Sequence, residues 1–185
     1  MGNLFYVIGA SGVGKDSVMN YARSTINGSF PVIFAHRYIT RPAKEGNENH
    51  VQISRKEFHA RQQGGLFALH WDSHDQHYGI GVEINSWLEK GFHVVVNGSR
   101  GYLPEAQKKY PQLKVVLIEA DPETIRQRLE SRGRENSVQI QKRIDRNGTI
   151  TPEWENTGMT FRIQNDGLLE EAGDQLISLI RHGSQ

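Results

Sequence analysis

The sequence contains no cysteine, and this absence excludes disulfide bonds, thiolate catalysis and thiolate ligands to a metal. It also lacks an excess of charge of either sign, since 22 lysines and arginines stand against 21 acidic residues. That balance favours neither nucleic acid nor an anionic membrane as a partner. The apolar run at residues 4–8 is too short for a signal peptide or a membrane span. We therefore expect a single domain in the reducing cytoplasm, with its oligomeric state left open.

Residues 9–15 have the spacing G-x-x-x-x-G-K that is typical of a phosphate-binding loop. An apolar run precedes this stretch and an amphipathic segment follows it, so the loop joins a strand to a helix. In such a loop, backbone N–H groups and the positive end of the helix bind phosphate oxygens, and the lysine reaches the β- and γ-phosphates. An ordinary glycine-rich turn is the alternative, but such a turn would not require a strand before it and a helix after it. The predicted nucleotide-binding residues are Gly9, Ala10, Ser11, Gly12, Val13, Gly14, Lys15, Asp16 and Ser17.

The loop departs from the common signature at one position. Asp16 stands where a serine or threonine is expected, and Ser17 follows it. The missing hydroxyl is the usual loop ligand of Mg²⁺. A carboxylate at a helix start is favoured by the helix dipole but repelled by phosphate, and a bridging Mg²⁺ would relieve this conflict. We therefore predict Mg²⁺ as a cofactor, with Asp16 and Ser17 as candidate ligands.

Predicted strands and helices alternate along the chain, which indicates an α/β fold with a parallel sheet flanked by helices on both faces. The run at 114–119 is continuously apolar, as expected of an internal parallel strand. Short strands between about 36 and 53 are expected to form a flap away from the main sheet. We predict a core at 1–35, 92–125 and 160–185, an acceptor-binding region at about 36–82, and a helical lid at about 126–147.

The predicted lid is rich in arginine. Six arginines lie in or beside two short helices joined by a glycine-containing turn, at positions 126, 128, 132, 134, 143 and 146. Positive groups that close over bound phosphates neutralise the charge of a transferring phosphoryl group. A solvated basic helix face, with arginines paired to Glu130 or Glu135, is the alternative. Because the phosphate loop is present, we expect Lys15, Arg134 and Arg143 to be catalytic.

Several motifs together resemble the guanylate-kinase group of P-loop nucleoside monophosphate kinases over nearly the whole chain. They are the loop at 9–15, Tyr-Ile-Thr-Arg-Pro at 38–42, Gly-x-Phe at 65–67, Tyr-Gly at 78–79, Arg-x-x-x-Arg-Gly at 128–133, Lys-Arg at 142–143 and Asn-Asp at 165–166. The resemblance implies a guanylate-kinase-like P-loop fold that uses ATP. It also implies that Arg41 and Tyr78 grip the acceptor phosphate. The implied neighbours of that phosphate are Arg37, Lys44 and His50, and those implied beside adenine are Asn165 and Asp166.

The chain also departs from the guanylate-kinase pattern. In that group an acidic residue two places after the phenylalanine reads the guanine edge, and here that position is Leu69. A second acid of that group stands at the end of the central strand, where this chain has Asn-Gly-Ser-Arg at 97–100. Leucine accepts no hydrogen bond, so guanine recognition is expected to be lost. Arg100 is a basic residue in the region where guanylate kinases have acids. This suggests an acceptor that carries more phosphate groups.

Longer strings resemble one branch of the group, the bacterial kinases of phosphonate breakdown that act on ribose 1,5-bisphosphate. The strings lie at 14–17, 48–50, 78–83, 96–100 and 132–136. The resemblance implies ATP-dependent phosphorylation of ribose 1,5-bisphosphate to 5-phosphoribosyl 1-diphosphate. By position, the sugar hydroxyls or the second phosphate would be addressed by Asn97, Ser99 and Arg100, which also follow a buried-type strand at its ligand-binding carboxyl end.

Other functions remain open at this point. A true guanylate kinase would turn over GMP readily. A small-metabolite kinase of another class would share the loop without needing the pair of Arg41 and Tyr78. Guanylate-kinase-like domains also serve as protein-binding modules, but such modules resemble kinases that have lost the phosphate loop, whereas this chain keeps Lys15.

Overall fold

The computed structural model describes residues 1–26, 28, 30–42, 49–73, 75–131, 133, 137–148 and 160–183. In these residues the strands are β1 (Leu4–Gly9), β2 (Val32–Phe34), β3 (Arg37–Ile39), β4 (His50–Gln52), β5 (Phe67–Ser73), β6 (Gln76–Gly81), β7 (His93–Asn97), β8 (Lys114–Glu119) and β9 (Thr160–Gln164). The helices are α1 (Lys15–Thr25), α2 (Arg55–Gln63), α3 (Glu83–Glu89), α4 (Leu103–Lys109), α5 (Pro122–Ser131), α6 (Ser137–Gly148) and α7 (Leu169–His182), and a 3-10 turn spans Arg100–Tyr102.

A parallel sheet lies at the centre of the described part of the chain. Its strand order is β2-β7-β1-β8-β9, and each neighbouring pair is parallel. The inner strands β1, β7 and β8 are almost entirely buried, as expected of strands covered on both faces. The predicted α/β fold with a parallel sheet is therefore confirmed.

Helices cover both faces of this sheet, because alternate side chains of each strand point to opposite sides. On one face, Tyr6 and Ile8 pack in a cluster with residues of α3 and α4. On the other, Phe5 and Val7 pack with residues of α1, α5 and α7, and Ile140 of α6 joins them. Among the helices of the described residues, none has the length and apolar character needed to cross a membrane.

A second, smaller sheet contains β3 and β4, which the sequence predicts to lie apart from the main sheet, and also β5 and β6, which lie beyond the predicted flap strands. Its order is β4-β3-β6-β5, with β3 parallel to β4 and antiparallel to β6. Helix α2 packs on it through Phe58, which joins Ile53, Phe67 and Tyr38 in a separate apolar cluster. The flap therefore has a small core of its own.

The chain passes from the main sheet to the second sheet within a few residues. The sequence predicts one strand from 31 to 35 that continues into the polar segment. In the structure, Ala35 still donates its N–H to Val95 of the main sheet at 2.9 Å, whereas Arg37 donates to the carbonyl of Asn49 at 3.0 Å. This change of hydrogen-bond partners places Arg37 at the border between the sheets, beside the phosphate loop.

Candidate active site

The phosphate loop leaves β1 at Gly9 and enters α1 at Lys15. Gly12 has φ 95° and Gly14 has φ 85°, a left-handed backbone that glycine adopts without strain and other L-residues avoid. A Cβ added at Gly14 would also lie 2.6 Å from Nδ2 of Asn165. Backbone conformation and packing therefore both require glycine where the signature has it.

Two side chains from other elements hold the loop backbone at the carbonyl of Val13. Asn165, at the end of β9, donates its amide to this oxygen at 2.6 Å, and Arg128 of α5 donates to it at 3.2 Å. Asn165 is only 3% exposed, and its Oδ1 accepts no hydrogen bond from the described residues. Asn165 therefore supports the loop directly, at the end of the loop next to Lys15.

Asp166 anchors the next part of the same edge. Its Oδ1 accepts the N–H of Asp121 at 2.7 Å, and its other oxygen accepts a hydrogen bond from Gln164. Desolvation alone would raise the pKa of Asp166, but these hydrogen bonds to the charged form outweigh it and lower the pKa below its ordinary value. The carboxylate thus joins the end of β9 to the segment that begins α5.

A polar network joins the loop to the end of β7. Lys15 donates a hydrogen bond from Nζ to Oδ1 of Asn97, and Asn97 donates from Nδ2 to Oδ1 of Asp16 at 2.5 Å. Oδ1 of Asp16 also lies 4.0 Å from Nζ of Lys15 and 3.9 Å from Nη2 of Arg37. The pairing of Val7 with Asn97 in adjacent parallel strands explains this meeting, because both strands end at the same edge of the sheet.

Residues of the second sheet approach the loop from the other side. Arg37 is 8% exposed, and its guanidinium lies 5.6 Å from the ring centroid of Tyr78. Arg37 pairs with His50 in the neighbouring strand, while Tyr78 stacks on Trp71 at 5.6 Å. Tertiary structure thus brings together three of the predicted acceptor residues, and Arg37 connects them to Asp16. Arg41 is half-buried just after β3.

The turn after β7 is held by Tyr6. The Tyr6 hydroxyl donates to the carbonyl of Ser99 at 3.2 Å and accepts the N–H of the same residue at 3.0 Å. Burial raises the pKa of Tyr6, so the hydroxyl keeps its proton at neutral pH. Arg100 follows, and burial lowers the pKa of its guanidinium. A bound phosphate would favour the charged form of Arg100 and so oppose this shift.

Replacing Gly98 with alanine is expected to disturb this turn. The added Cβ would lie 2.3 Å from ring atoms of Tyr6, which is too close for the buried ring to accommodate without displacement. We expect a loss of about 1–3 kcal/mol in the free energy of unfolding, measured by thermal denaturation followed by circular dichroism. Gly101→Ala is the matched control, since its Cβ would meet no atom closer than Ser99 Oγ at 4.0 Å. Equal melting temperatures for the two variants would contradict this account of Gly98.

The predicted lid is only partly within the described residues. Arg134 and Lys44 lie outside them, as does Arg132. Arg143 lies on α6, but its side chain is not among those described. Arg126 donates to Gln141 at 2.6 Å, which joins α5 to α6. The catalytic roles of Arg134 and Arg143 and the acceptor role of Lys44 therefore stay predictions.

The structure reveals contributions that sequence reasoning missed. The sequence predicts Arg128 to be part of the lid, whereas in the structure it donates a hydrogen bond to the loop at Val13. Tyr6 lies in an apolar strand, so no local signal distinguished its hydroxyl. A cleft beside Asp16 is lined by Met19, Asn20, Arg23, Phe34, Ala35, Asn49 and Asn97. The spacing of Asp16, Asn20 and Arg23, which puts them on one helix face, was the signal available for this cleft.

Comparisons with known proteins identify the fold. A family model described as guanylate kinase matches residues 1–183. The crystal structure of guanylate kinase from Anaplasma phagocytophilum has a TM-score of 0.75 to this structure and 16% sequence identity. The match covers 98% of this chain and 86% of that one. At this identity the likeness shows the fold, which is the guanylate-kinase-like fold expected from the motifs.

Curated relatives are far more similar in sequence. A ribose 1,5-bisphosphate phosphokinase, PhnN, of Thiobacillus denitrificans is 52% identical over 180 residues, covering 97% of this chain and 93% of the relative. The protein of the same name from Psychromonas ingrahamii is 48% identical over 185 residues, covering 98% of this chain and 91% of the relative. The matches span essentially the whole chain, including the loop, both sheets and the closing helix, and the chain belongs to the guanylate kinase family.

Proposed function

We propose that this protein is a kinase that transfers the γ-phosphoryl group of ATP to ribose 1,5-bisphosphate, giving 5-phosphoribosyl 1-diphosphate and ADP. The observation that carries this function is the 52% identity, over 97% of the chain, to a relative named for this substrate. Other relatives of the same name are 43–49% identical over nearly the full chain. The reaction links the protein to phosphonate breakdown.

The chemistry follows from the substrate and product. The product carries its diphosphate at carbon 1, so an oxygen of the 1-phosphate forms a bond to the γ-phosphorus while the bond from that phosphorus to the bridging oxygen of ADP breaks. The attacking oxygen is already anionic, and no general base is needed. Catalysis then depends on in-line positioning and on neutralising the charge of two phosphate groups brought together.

The nucleotide half of the site lies on the loop. We propose that the backbone of residues 9–14 binds the ATP phosphates and that Lys15 moves from Asn97 onto the β- and γ-phosphates. Lys15 makes this contact without any rearrangement of the strands, since its ammonium already lies at the edge where β1 and β7 end. Asn165 and Asp166 are proposed to border adenine, and the rigid contacts they make to Val13 and Asp121 suit that place.

The acceptor half lies between the loop and the second sheet. Arg37 and Tyr78, which are in contact, are proposed to hold the acceptor phosphate together with Arg41, Lys44 and His50. On the other side, Asn97, Ser99 and Arg100 face the sugar or its second phosphate. We accordingly propose that residues of about 36–82 form the acceptor-binding region and that residues of about 126–147 form the lid, with Arg134 and Arg143 closing over the transferring group. The nucleotide-binding core is then formed by residues 1–35, 92–125 and 160–185.

We propose Mg²⁺ as the cofactor. The Asp16 carboxylate lies beside the Asn97 amide at the edge of the loop. Carboxylate and amide oxygens suit Mg²⁺, which takes few protein ligands when phosphates supply the others. Asp16 and Ser17 are the candidate ligands on α1. When bound, Mg²⁺ neutralises charge on the β- and γ-phosphate oxygens. The compartment we propose is the cytoplasm, where ATP is available, and the reaction needs neither nucleic acid nor a membrane.

A comparison of acceptors tests this function. We expect rapid ATP-dependent formation of the diphosphate from ribose 1,5-bisphosphate and slow or absent turnover of GMP, followed by phosphorus NMR and by ADP release. The reason is that Leu69, at the position expected to read guanine, is fully buried beside Ile80 in the apolar core. Efficient turnover of GMP would overturn the assignment in favour of a guanylate kinase. Failure to bind ATP in the presence of Mg²⁺ would favour a binding module.

A further inference from the structure

The phosphate loop and the end of β7 carry an unusual pair of oxygen donors. P-loop NTPases generally hold Mg²⁺ with a loop serine or threonine and with an aspartate elsewhere in the site. This chain has a carboxylate, Asp16, at the loop position and an amide, Asn97, at the end of the strand beside the loop strand. The site therefore still offers one carboxylate and one neutral oxygen donor. Here, however, the negatively charged carboxylate lies in the loop, where P-loop NTPases generally have a neutral hydroxyl.

The two side chains are in direct contact. Nδ2 of Asn97 lies 2.5 Å from Oδ1 of Asp16, so the two groups that would serve the metal share one edge of the sheet. Asn97 is 7% exposed, whereas the Asp16 side chain is 40% exposed. The carboxylate is thus open to an incoming ligand while the amide is held in place. Ser17, the other candidate ligand, is exposed on the first turn of α1.

The orientation of the Asn97 amide follows from its neighbours. Its Oδ1 faces the Lys15 ammonium, a donor, and its Nδ2 faces the Asp16 carboxylate, an acceptor. In the opposite orientation, Nδ2 would face the Lys15 ammonium, so that two donors meet, and Oδ1 would face the Asp16 carboxylate, so that two acceptors meet. When Lys15 moves to the phosphates of a nucleotide, Oδ1 of Asn97 loses that donor and becomes available as a neutral oxygen ligand beside the Asp16 carboxylate.

We propose that Asp16 supplies the carboxylate and Asn97 the neutral oxygen for the Mg²⁺ of bound MgATP, the reverse of the usual neutral loop hydroxyl and distant aspartate. In this arrangement Asn97 serves the metal, and Ser99 and Arg100 are left to face the acceptor. Asp16 is suited to this role because Lys15 and Arg37 lie within 4.0 Å of its carboxylate. These two cations outweigh its charge and keep the loop attractive to a polyphosphate. The proposal rests on the ATP-binding half of the proposed function alone.

A double-mutant cycle tests this arrangement in the full-length protein without any acceptor. The probe is the β,γ-imido analogue of ATP, titrated calorimetrically once with Mg²⁺ and once with EDTA. The ratio of the two affinities measures how far nucleotide binding depends on the metal. We expect Asp16→Ser to reduce this ratio by about 10- to 100-fold. Adding Asn97→Asp to Asp16→Ser should restore most of it, because the carboxylate returns from the strand side.

The same Asn97→Asp change is expected to have the opposite effect in the wild-type background. There the new carboxylate would replace an amide that donates to Asp16 at 2.5 Å, so repulsion should lower the affinity for the Mg²⁺-bound analogue. In the Asp16→Ser background the same change should raise that affinity. This reversal of sign is the coupling between the two sites. If Asn97→Asp changed the affinity for the Mg²⁺-bound analogue in the same direction in both backgrounds, or if Asp16→Ser left the ratio at the wild-type value, the proposal would be overturned.

Two further variants keep the result unambiguous. Asp16→Asn removes the charge with little change of shape, and it should lower the ratio of the two affinities to a similar extent as Asp16→Ser. It therefore tests the proposal independently if the Asp16→Ser variant fails to fold. Ser17→Ala should change the ratio less than either, and a larger effect would mean that Ser17 ligates the metal and overturn the proposal. Because ribose 1,5-bisphosphate is absent throughout, failure here leaves the assignment of the acceptor intact, and a failed acceptor assay leaves this result intact.

Discussion

Replacing Lys15 with methionine is expected to lower kcat by about 10²- to 10³-fold, the usual effect of removing one preorganised group that stabilises the transition state. In the proposed mechanism its ammonium binds the β- and γ-phosphates, where negative charge develops as the phosphoryl group is transferred. The Lys15 ammonium contacts Asn97 and Asp16, both within the site. Methionine has a similar length and keeps the apolar stem, so the fold should be retained.

The measurement is steady-state turnover with both ATP and ribose 1,5-bisphosphate saturating. Lys108→Met is the matched control, because Lys108 lies on α4 with 71% of its side chain exposed and pairs with Glu105 at 2.7 Å. The control should keep the wild-type kcat. If Lys15→Met also kept it, the loop would bind phosphate without taking part in transfer, and the proposed mechanism would fail.

Replacing Arg37 with alanine is expected to raise the KM for ribose 1,5-bisphosphate by about 10- to 100-fold, the value of one or two charge-assisted hydrogen bonds to a phosphate. Arg37 is nearly buried between Tyr78 and Asp16, so its loss removes positive charge at the point where the acceptor and ATP phosphates would meet. Arg37→Lys keeps the charge but loses the planar fork, and it should fall between alanine and wild type.

A second arginine of the same small sheet provides the control. Arg61 lies over the ring of Tyr38 at 4.5 Å and pairs with Glu57, on the surface of α2. It thus shares the cation–π geometry of Arg37 but has no contact with the loop among its described partners. Arg61→Ala should leave the KM for the acceptor unchanged. Equal increases for the two variants would mean that Arg37 acts through the stability of the small sheet and does not bind the acceptor.

The conformation of the phosphate loop and the elements that flank it could be predicted from the sequence. A phosphate loop is a local structure, since glycines at fixed spacing permit the left-handed backbone seen at Gly12 and Gly14, and an apolar strand and an amphipathic helix flank it. Asp16 was recognised as a departure from the signature for the same reason. The parallel sheet was also predictable, because the continuous apolar runs of β1 and β8 differ from the alternation of a half-exposed strand.

The supports of the site could not be predicted in this way. Asn165 and Arg128 both bind the carbonyl of Val13 from elements more than a hundred residues further along the chain. Tyr6 and Ser99 are brought together only by the pairing of β1 with β7. The hydrogen bond of Tyr6 had no sequence signal, because a tyrosine within an apolar strand has the same local pattern whether or not its hydroxyl has a partner.

The sequence by itself determined the type of fold, the phosphate loop, the carboxylate at position 16 and the absence of an acid at Leu69, because each depends on residue identity and local spacing. Tertiary structure alone decided which side chains meet. It joined Asp16 to Asn97, placed Arg37 beside both the loop and Tyr78, and turned Asn165 to the loop backbone. For Asp16, Asn97 and Asn165, the physical reason is that β1, β7 and β9 end at one edge of the parallel sheet, and only their register sets the distances between the groups they carry. Arg37 reaches this edge from the second sheet, which begins beside it.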